Sequence, residues 1–224
     1  MAKSNEKLAR TVVAISDVIG EARRADQNIP KWFISFGALL WFIRDRLLGV
    51  PLEQDIDISM FYGDLKRDYL IGKFREYGYE LRDELLENYG RRPLKMTFKP
   101  TDPSLYKVDI DIFFWIVGKK YCWHTYDMYN RGKTMLDEYQ FKGTPREYLM
   151  GDTVSHVWEE IAPTVKLPEK YGSLLDTWYP PQRDADGKII PGTGWLVRNR
   201  KYGQSKCDAT RNIKDCKNLL EQLQ

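Results

Sequence analysis

Asp55-Ile56-Asp57-Ile58 and Val108-Asp109-Ile110-Asp111-Ile112 are the two stretches whose reading decides the fold. Strand side chains alternate between faces, so each stretch reads as a strand with carboxylates on one face and β-branched residues on the other. Side by side, two such strands crowd three or four carboxylates into one patch. Like charges that close are costly and raise one another's pKa. A divalent cation resolves the conflict, and a patch built to hold one points to phosphate chemistry.

An acid alternating with an aliphatic is also what any half-exposed strand shows. Three features set these two apart. Both carry the same Asp-Ile-Asp-Ile sequence. Each Asp sits in an otherwise apolar strand, where an unpaired charge is expensive. A strand–Gly–helix–Arg unit lies just upstream. In that unit Trp32-Phe33-Ile34-Ser35-Phe36 reads as a short buried strand, Gly37 turns the chain, and Ala38 to Arg44 reads as a helix. Gly37 permits close backbone approach, and the helix start beyond it offers free N–H groups to a phosphate. Arg44, two turns along, is within reach of a pyrophosphate or of the acidic patch.

The remaining elements follow from spacing. Leu8, Val12, Ile15 and Ile19 predict an amphipathic helix over 5–26, stopped by Asn28-Ile29-Pro30. Leu48-Gly49-Val50-Pro51 is a loop. Asp64 is a candidate N-cap for a helix over 65–77, and Gly78 ends it. Strands are expected over 79–82 and 94–99. The second acidic strand spans about 106–117, and its apolar half, Ile112 to Val117, predicts a central position in a sheet. Thr144-Pro145-Arg146-Glu147 has the form of a capping box, which a turn would match equally well. Short helices are expected over 152–161 and 168–178, an irregular segment over 180–194 and a last helix over 208–223.

Composition sets the class. The chain has 224 residues, 42% hydrophobic and 30% charged, enough for one good core in an ordinary globular protein. Its 35 basic and 32 acidic residues leave a net charge of +3, too balanced to imply nucleic-acid binding by bulk charge. Cys122, Cys207 and Cys216 form neither a disulfide framework nor a CxxC pair. Residues 1–30 hold no long apolar run, so no transmembrane segment is expected and a reducing, cytoplasmic setting is the simplest reading.

The first acidic block also resembles a known family. Gly37-Ala38-Leu39-Leu40-Trp41-Phe42-Ile43-Arg44, then Pro51 and Glu53-Gln54-Asp55-Ile56-Asp57-Ile58, resembles the signature of the LicD/fukutin family. That signature is a Gly-[Ser/Thr]-Leu-Leu start, an Arg seven residues on, a Pro, and an acidic run ending Asp-Ile-Asp-Ile. Asp111-Ile112-Phe113-Phe114 resembles the family's Asp-Ile-Phe strand, and Tyr171-Gly172 with Trp178 and Pro180 its Tyr-Gly…Trp…Pro segment. The chain departs from the pattern at Ala38, where the family carries Ser or Thr, at Trp41, and at Glu53 and Gln54.

The resemblance implies an α+β, nucleotidyltransferase-like fold: a small mixed β-sheet flanked by helices, here with a helical and irregular C-terminal region. The chain is read as a catalytic core over 1–120 with a C-terminal helical and loop region over 121–224 packed on it, the two forming one structural domain. The resemblance also implies Mg²⁺ or Mn²⁺ on the strand acids, and transfer of a phospho-alcohol, such as phosphocholine or ribitol phosphate, from a CDP-linked donor to a sugar hydroxyl of a glycan. On that reading Asp55, Asp57 and Asp111 are the metal ligands, and Gly37, Ala38 and Arg44 hold donor phosphate. Asp109 is a general base or the third ligand.

Lesser candidates are His124, an aromatic platform from Trp115, Trp123 and Trp178, and the basic cluster Arg198-Asn199-Arg200-Lys201. Two rival functions remain open: a nucleotidyltransferase moving NMP from an NTP, and a non-catalytic binding protein on the same scaffold.

Overall fold

The computed structural model describes residues 2–25, 32–45, 55–61, 67–86, 93–124, 144–150, 153–157, 164–179 and 183–188. Helix α1 (Ala2–Ala25) buries Leu8, Val12, Ile15 and Ile19, the stripe its spacing predicts, together with Ala14 and Val18. Each of the leucine, valine and isoleucine side chains removed from water contributes about 1.5–3 kcal/mol. The stripe packs with helix α3 (Arg67–Glu76), whose Leu70 and Phe74 are buried, against one face of the sheet.

Strands β1 (Trp32–Ile34), β2 (Asp55–Phe61), β3 (Tyr79–Leu86), β4 (Pro93–Pro100) and β5 (Asp109–Val117) lie in the order β1-β2-β5-β4-β3. The β2–β5 pair is parallel and its neighbours are antiparallel, so the sheet is mixed and the architecture α+β. β5 is central, as its two-sided apolar half predicts. Strands β6 (Tyr121–His124) and β7 (Thr144–Pro145) extend the same sheet, which therefore runs across the division at residue 120.

The two faces have different chemistry. Ile56, Ile58, Met60, Ile110, Ile112, Phe114, Met96 and Phe98 join α1 and α3 in the larger core. Phe61 and Trp115 belong to a second cluster on the opposite face, with Phe33, Cys122, Leu149 and Leu174. Helices α4 (Arg146–Leu149) and α5 (Tyr171–Trp178) supply the last two of these. The period of two then puts Asp55, Asp57 and Ser59 on the face of Phe61, and Asp109, Asp111 and Phe113 on the face of Trp115.

Two local expectations are corrected, and one open reading is decided. The chain turns at Phe36, which takes φ +45°, and helix α2 (Phe36–Leu40) already includes Gly37, continuing as a π-helical turn over Trp41–Asp45. Residues 153–157 form strand β8, paired with β9 (Thr164–Pro168), where a helix is expected. Thr153, Val154 and Val157 are β-branched, a residue type that favours strand over helix. Thr144 is no helix cap: Pro145 takes that place, and the Thr144 hydroxyl accepts the Trp178 indole N–H at 3.1 Å. Asp64, the segment 198–201, the helix expected over 208–223, Cys207 and Cys216 lie outside the described residues. Among the described residues no helix is long and apolar enough to cross a membrane.

Gly78 ends α3 at φ +84°, and a Cβ built there would sit 2.7 Å from the Asp102 Cβ. Its carbonyl accepts the N–H groups of Thr101 at 2.7 Å and Asp102 at 3.3 Å, tying the helix end to the loop before β5. Gly78→Ala therefore combines left-handed strain with a backbone-proximal clash, and is expected to cost about 1–3 kcal/mol in urea unfolding.

Candidate metal centre

The parallel register of β2 and β5 sets Asp55 beside Asp109, Ile56 beside Ile110, Asp57 beside Asp111 and Ile58 beside Ile112. The repeated Asp-Ile-Asp-Ile thus pairs with itself, and both pairs of acids share the face opposite the larger core. One carboxylate oxygen each from Asp55, Asp57 and Asp111 lies within 4.8 Å of the others. Asp57 and Asp111 are only 8% and 6% exposed, while Asp55 lies at the open edge of the group. Asp109, beside Asp55 on the neighbouring strand, is not a member of that group, and the exposed Arg82 of β3 donates to its Oδ2.

Asp57 is fixed by the start of α2. Its Oδ2 accepts the backbone N–H of Gly37 at 3.0 Å and of Ala38 at 3.4 Å. Its own carbonyl accepts the N–H of Ser35 at 3.0 Å, which carries the β1–β2 ladder one residue past the strand. The amides expected to face a donor phosphate are thus directed at a strand carboxylate. The left-handed Phe36 makes this possible by swinging the chain so that the next two N–H groups point back at β2. Such a backbone in a bulky residue costs about 1–3 kcal/mol and persists only where its surroundings hold it. Here the Phe36 ring stacks on Trp115 (5.9 Å, 17°), meets Phe113 edge-on (5.4 Å, 82°) and touches Trp178 (4.5 Å).

Asp111 is held from β4. Its Oδ1 accepts the Thr97 hydroxyl at 2.7 Å, and its Oδ2 lies 2.6 Å from the Lys95 ammonium. Neither residue was singled out in the sequence, though the alternation Lys95-Met96-Thr97-Phe98 carried the signal. Once β4 pairs with β5, its polar face must be the face of the acids. Arg44 is 2% exposed and lies in the π-helical turn that continues α2, seven residues beyond Gly37. Trp115 is a core residue, with its indole N–H on the Ser59 hydroxyl at 2.8 Å. The side chains of Trp123 and His124 lie outside the described set.

The donor set suits a hard divalent cation, because all three groups offer carboxylate oxygen and none offers sulfur or imidazole. A second observation points the same way. Ser35 is fully buried, and its hydroxyl has no hydrogen-bond partner. Its backbone is extended and stands opposite Asp57, so its side chain falls on the acid face. An orphaned buried hydroxyl beside clustered acids is the polarity expected where a cation and its water complete the coordination.

The electrostatics agree. Burial pushes the Asp57 carboxyl up from 3.8 to about 8, with Asp55 and Asp111 adding to the rise and the Ala38 amide and Lys95 opposing it. The folded protein then keeps a proton that the unfolded chain releases near pH 4, so unfolding sheds a proton between those values. Metal-free protein is expected to lose stability as pH climbs from about 4 to about 8 and to level off above that. Thermal melts of the wild type and Asp57→Asn across this range check it; the difference between the two should carry the slope.

No protein-family model matches the chain, and no curated protein matches it.

Proposed function

We propose that the chain is a metal-dependent phosphotransferase with a nucleotidyltransferase-like catalytic core, moving a phospho-alcohol from a CDP-linked donor to a sugar hydroxyl of a glycan. The observation that carries the reading is the convergence of Asp55, Asp57 and Asp111 within 4.8 Å on two parallel, in-register strands. The resemblance of Gly37–Arg44 and Asp55–Ile58 to the LicD/fukutin signature supplies the substrate class.

Asp55, Asp57 and Asp111 would hold Mg²⁺ or Mn²⁺. Bound there, the cation supplies neutralisation of charge on the donor pyrophosphate and on the departing CMP. The residues of the chain do the rest. Gly37 and Ala38 orient Asp57 through their amides, and Thr97 orients Asp111. The acceptor hydroxyl attacks the phosphorus that bears the alcohol. The new P–O bond forms as the bond to the bridging pyrophosphate oxygen breaks, and CMP leaves with that oxygen. Asp109, at the open rim beside Asp55, takes the hydroxyl proton. Its partner Arg82 is exposed, and a surface ion pair of that kind is readily exchanged.

Incubating the pure protein with Mg²⁺ and a panel of CDP-alcohols and NTPs, each with sugar acceptors, tests the proposal through the leaving group. CMP released from a CDP-alcohol supports it. Pyrophosphate released from an NTP would move the activity to nucleotidyl transfer, and binding without turnover would leave a binding protein.

A further inference from the structure

Lys95 places its ammonium on a carboxylate of the acidic triad. Its Nζ is 2.6 Å from Asp111 Oδ2 and 5.0 Å from the centre of the Phe113 ring. Asp111 is committed on both oxygens, because Thr97 donates to the other. A divalent cation on Asp111 and an ammonium in contact with the same carboxylate repel one another strongly at this separation. The contact is also built to exchange. The Lys95 side chain is about one-fifth exposed, its stem is flexible, and the Phe113 ring keeps the ammonium near the site when it leaves the carboxylate.

We infer that Lys95 is a resident counter-cation that couples metal binding to donor binding. The inference rests on the metal-dependent reading above and deepens it. Without donor, the ammonium screens the acids and opposes the metal. A diphosphate arriving at the site offers Lys95 a better anion, draws it off Asp111 and frees that oxygen for the cation. Metal and donor then each raise the affinity for the other by the same factor, as linkage requires. Lys95 is in this sense a positioning residue for the metal and a binding residue for the donor phosphates.

The test titrates Mn²⁺ by electron paramagnetic resonance, with and without CDP, in wild type, Lys95→Met and Lys95→Arg. Met keeps the apolar stem over Phe113 and removes the charge; Arg keeps the charge. Circular dichroism melts confirm that each variant is folded, and Lys95→Gln replaces Lys95→Met if the latter fails. In wild type, CDP should tighten Mn²⁺ binding about tenfold or more. Lys95→Met should bind Mn²⁺ alone about tenfold more tightly than wild type, and lose most of the gain on adding CDP. Lys95→Arg should behave like wild type. Damage to the fold would weaken Mn²⁺ binding, so a tighter variant cannot be a structural artefact. Wild type that binds Mn²⁺, with Lys95→Met no tighter or with its CDP gain intact, overturns the role of Lys95 and leaves the metal centre standing. Wild type that binds no Mn²⁺ with or without CDP overturns both.

Discussion

Asp57→Asn is expected to reduce turnover of a CDP-linked donor by about a thousandfold or more, with no loss of thermal stability. The two halves of that result have separate causes. An amide oxygen at position 57 can still accept the Gly37 and Ala38 N–H groups, so the start of α2 stays where it is. The substitution also removes a desolvated carboxyl from between Asp55 and Asp111, which relieves repulsion in the metal-free protein. Activity has no such compensation. A neutral amide contributes no charge to the cation, and losing about 4 kcal/mol of transition-state stabilisation corresponds to the expected factor. Asp111→Asn should lose activity similarly, though it also strips Lys95 of its carboxylate partner. Full turnover in either variant, measured as CMP release, would remove the triad from the mechanism.

Trp115→Ala is expected to cost about 3–5 kcal/mol in urea unfolding, the range for a large aromatic deleted from a well-packed core. Trp115 is 1% exposed and stacks on Phe36 and on Trp178 at 6.0 Å, joining α2, β5 and α5. Its deletion opens a cavity, leaves the Ser59 hydroxyl without the indole N–H, and unseats the ring that holds Phe36 at φ +45°. Because Phe36 aims the amides at Asp57, metal binding should weaken together with stability. Trp115→Phe keeps a ring and loses the N–H, so it should recover most of the stability. A loss under about 1 kcal/mol for Trp115→Ala would mean that the aromatic cluster does not support the site.

The acids were legible because period-two alternation and hydrophobic context act locally. Asp55 and Asp57 could be assigned to one face of their strand, and Asp109 and Asp111 to one face of theirs, from their own neighbours; the family resemblance singled out Asp111, and Ile112 to Val117 announced a central strand by being apolar on both sides. What the sequence withheld depends on pairing between distant segments. Lys95 and Thr97 look like surface residues until β4 lies against β5, and Arg82 reaches Asp109 across β4. The turn at Phe36 was hidden for a different reason. A glycine stood one position later and was the natural hinge, but aromatic packing from Phe113, Trp115 and Trp178 places the left-handed residue at a phenylalanine. Residues 153–157 show the same limit: short segments take the structure their neighbours favour, and the neighbour was a facing strand.

The most direct test of the central claim is a crystal structure of the protein soaked in Mn²⁺, read at the manganese absorption edge. An anomalous peak within ligand distance, about 2.0–2.4 Å, of oxygens from Asp55, Asp57 and Asp111 is the predicted result. A peak on other residues, or none at millimolar Mn²⁺ with these three carboxylates still clustered, would contradict it.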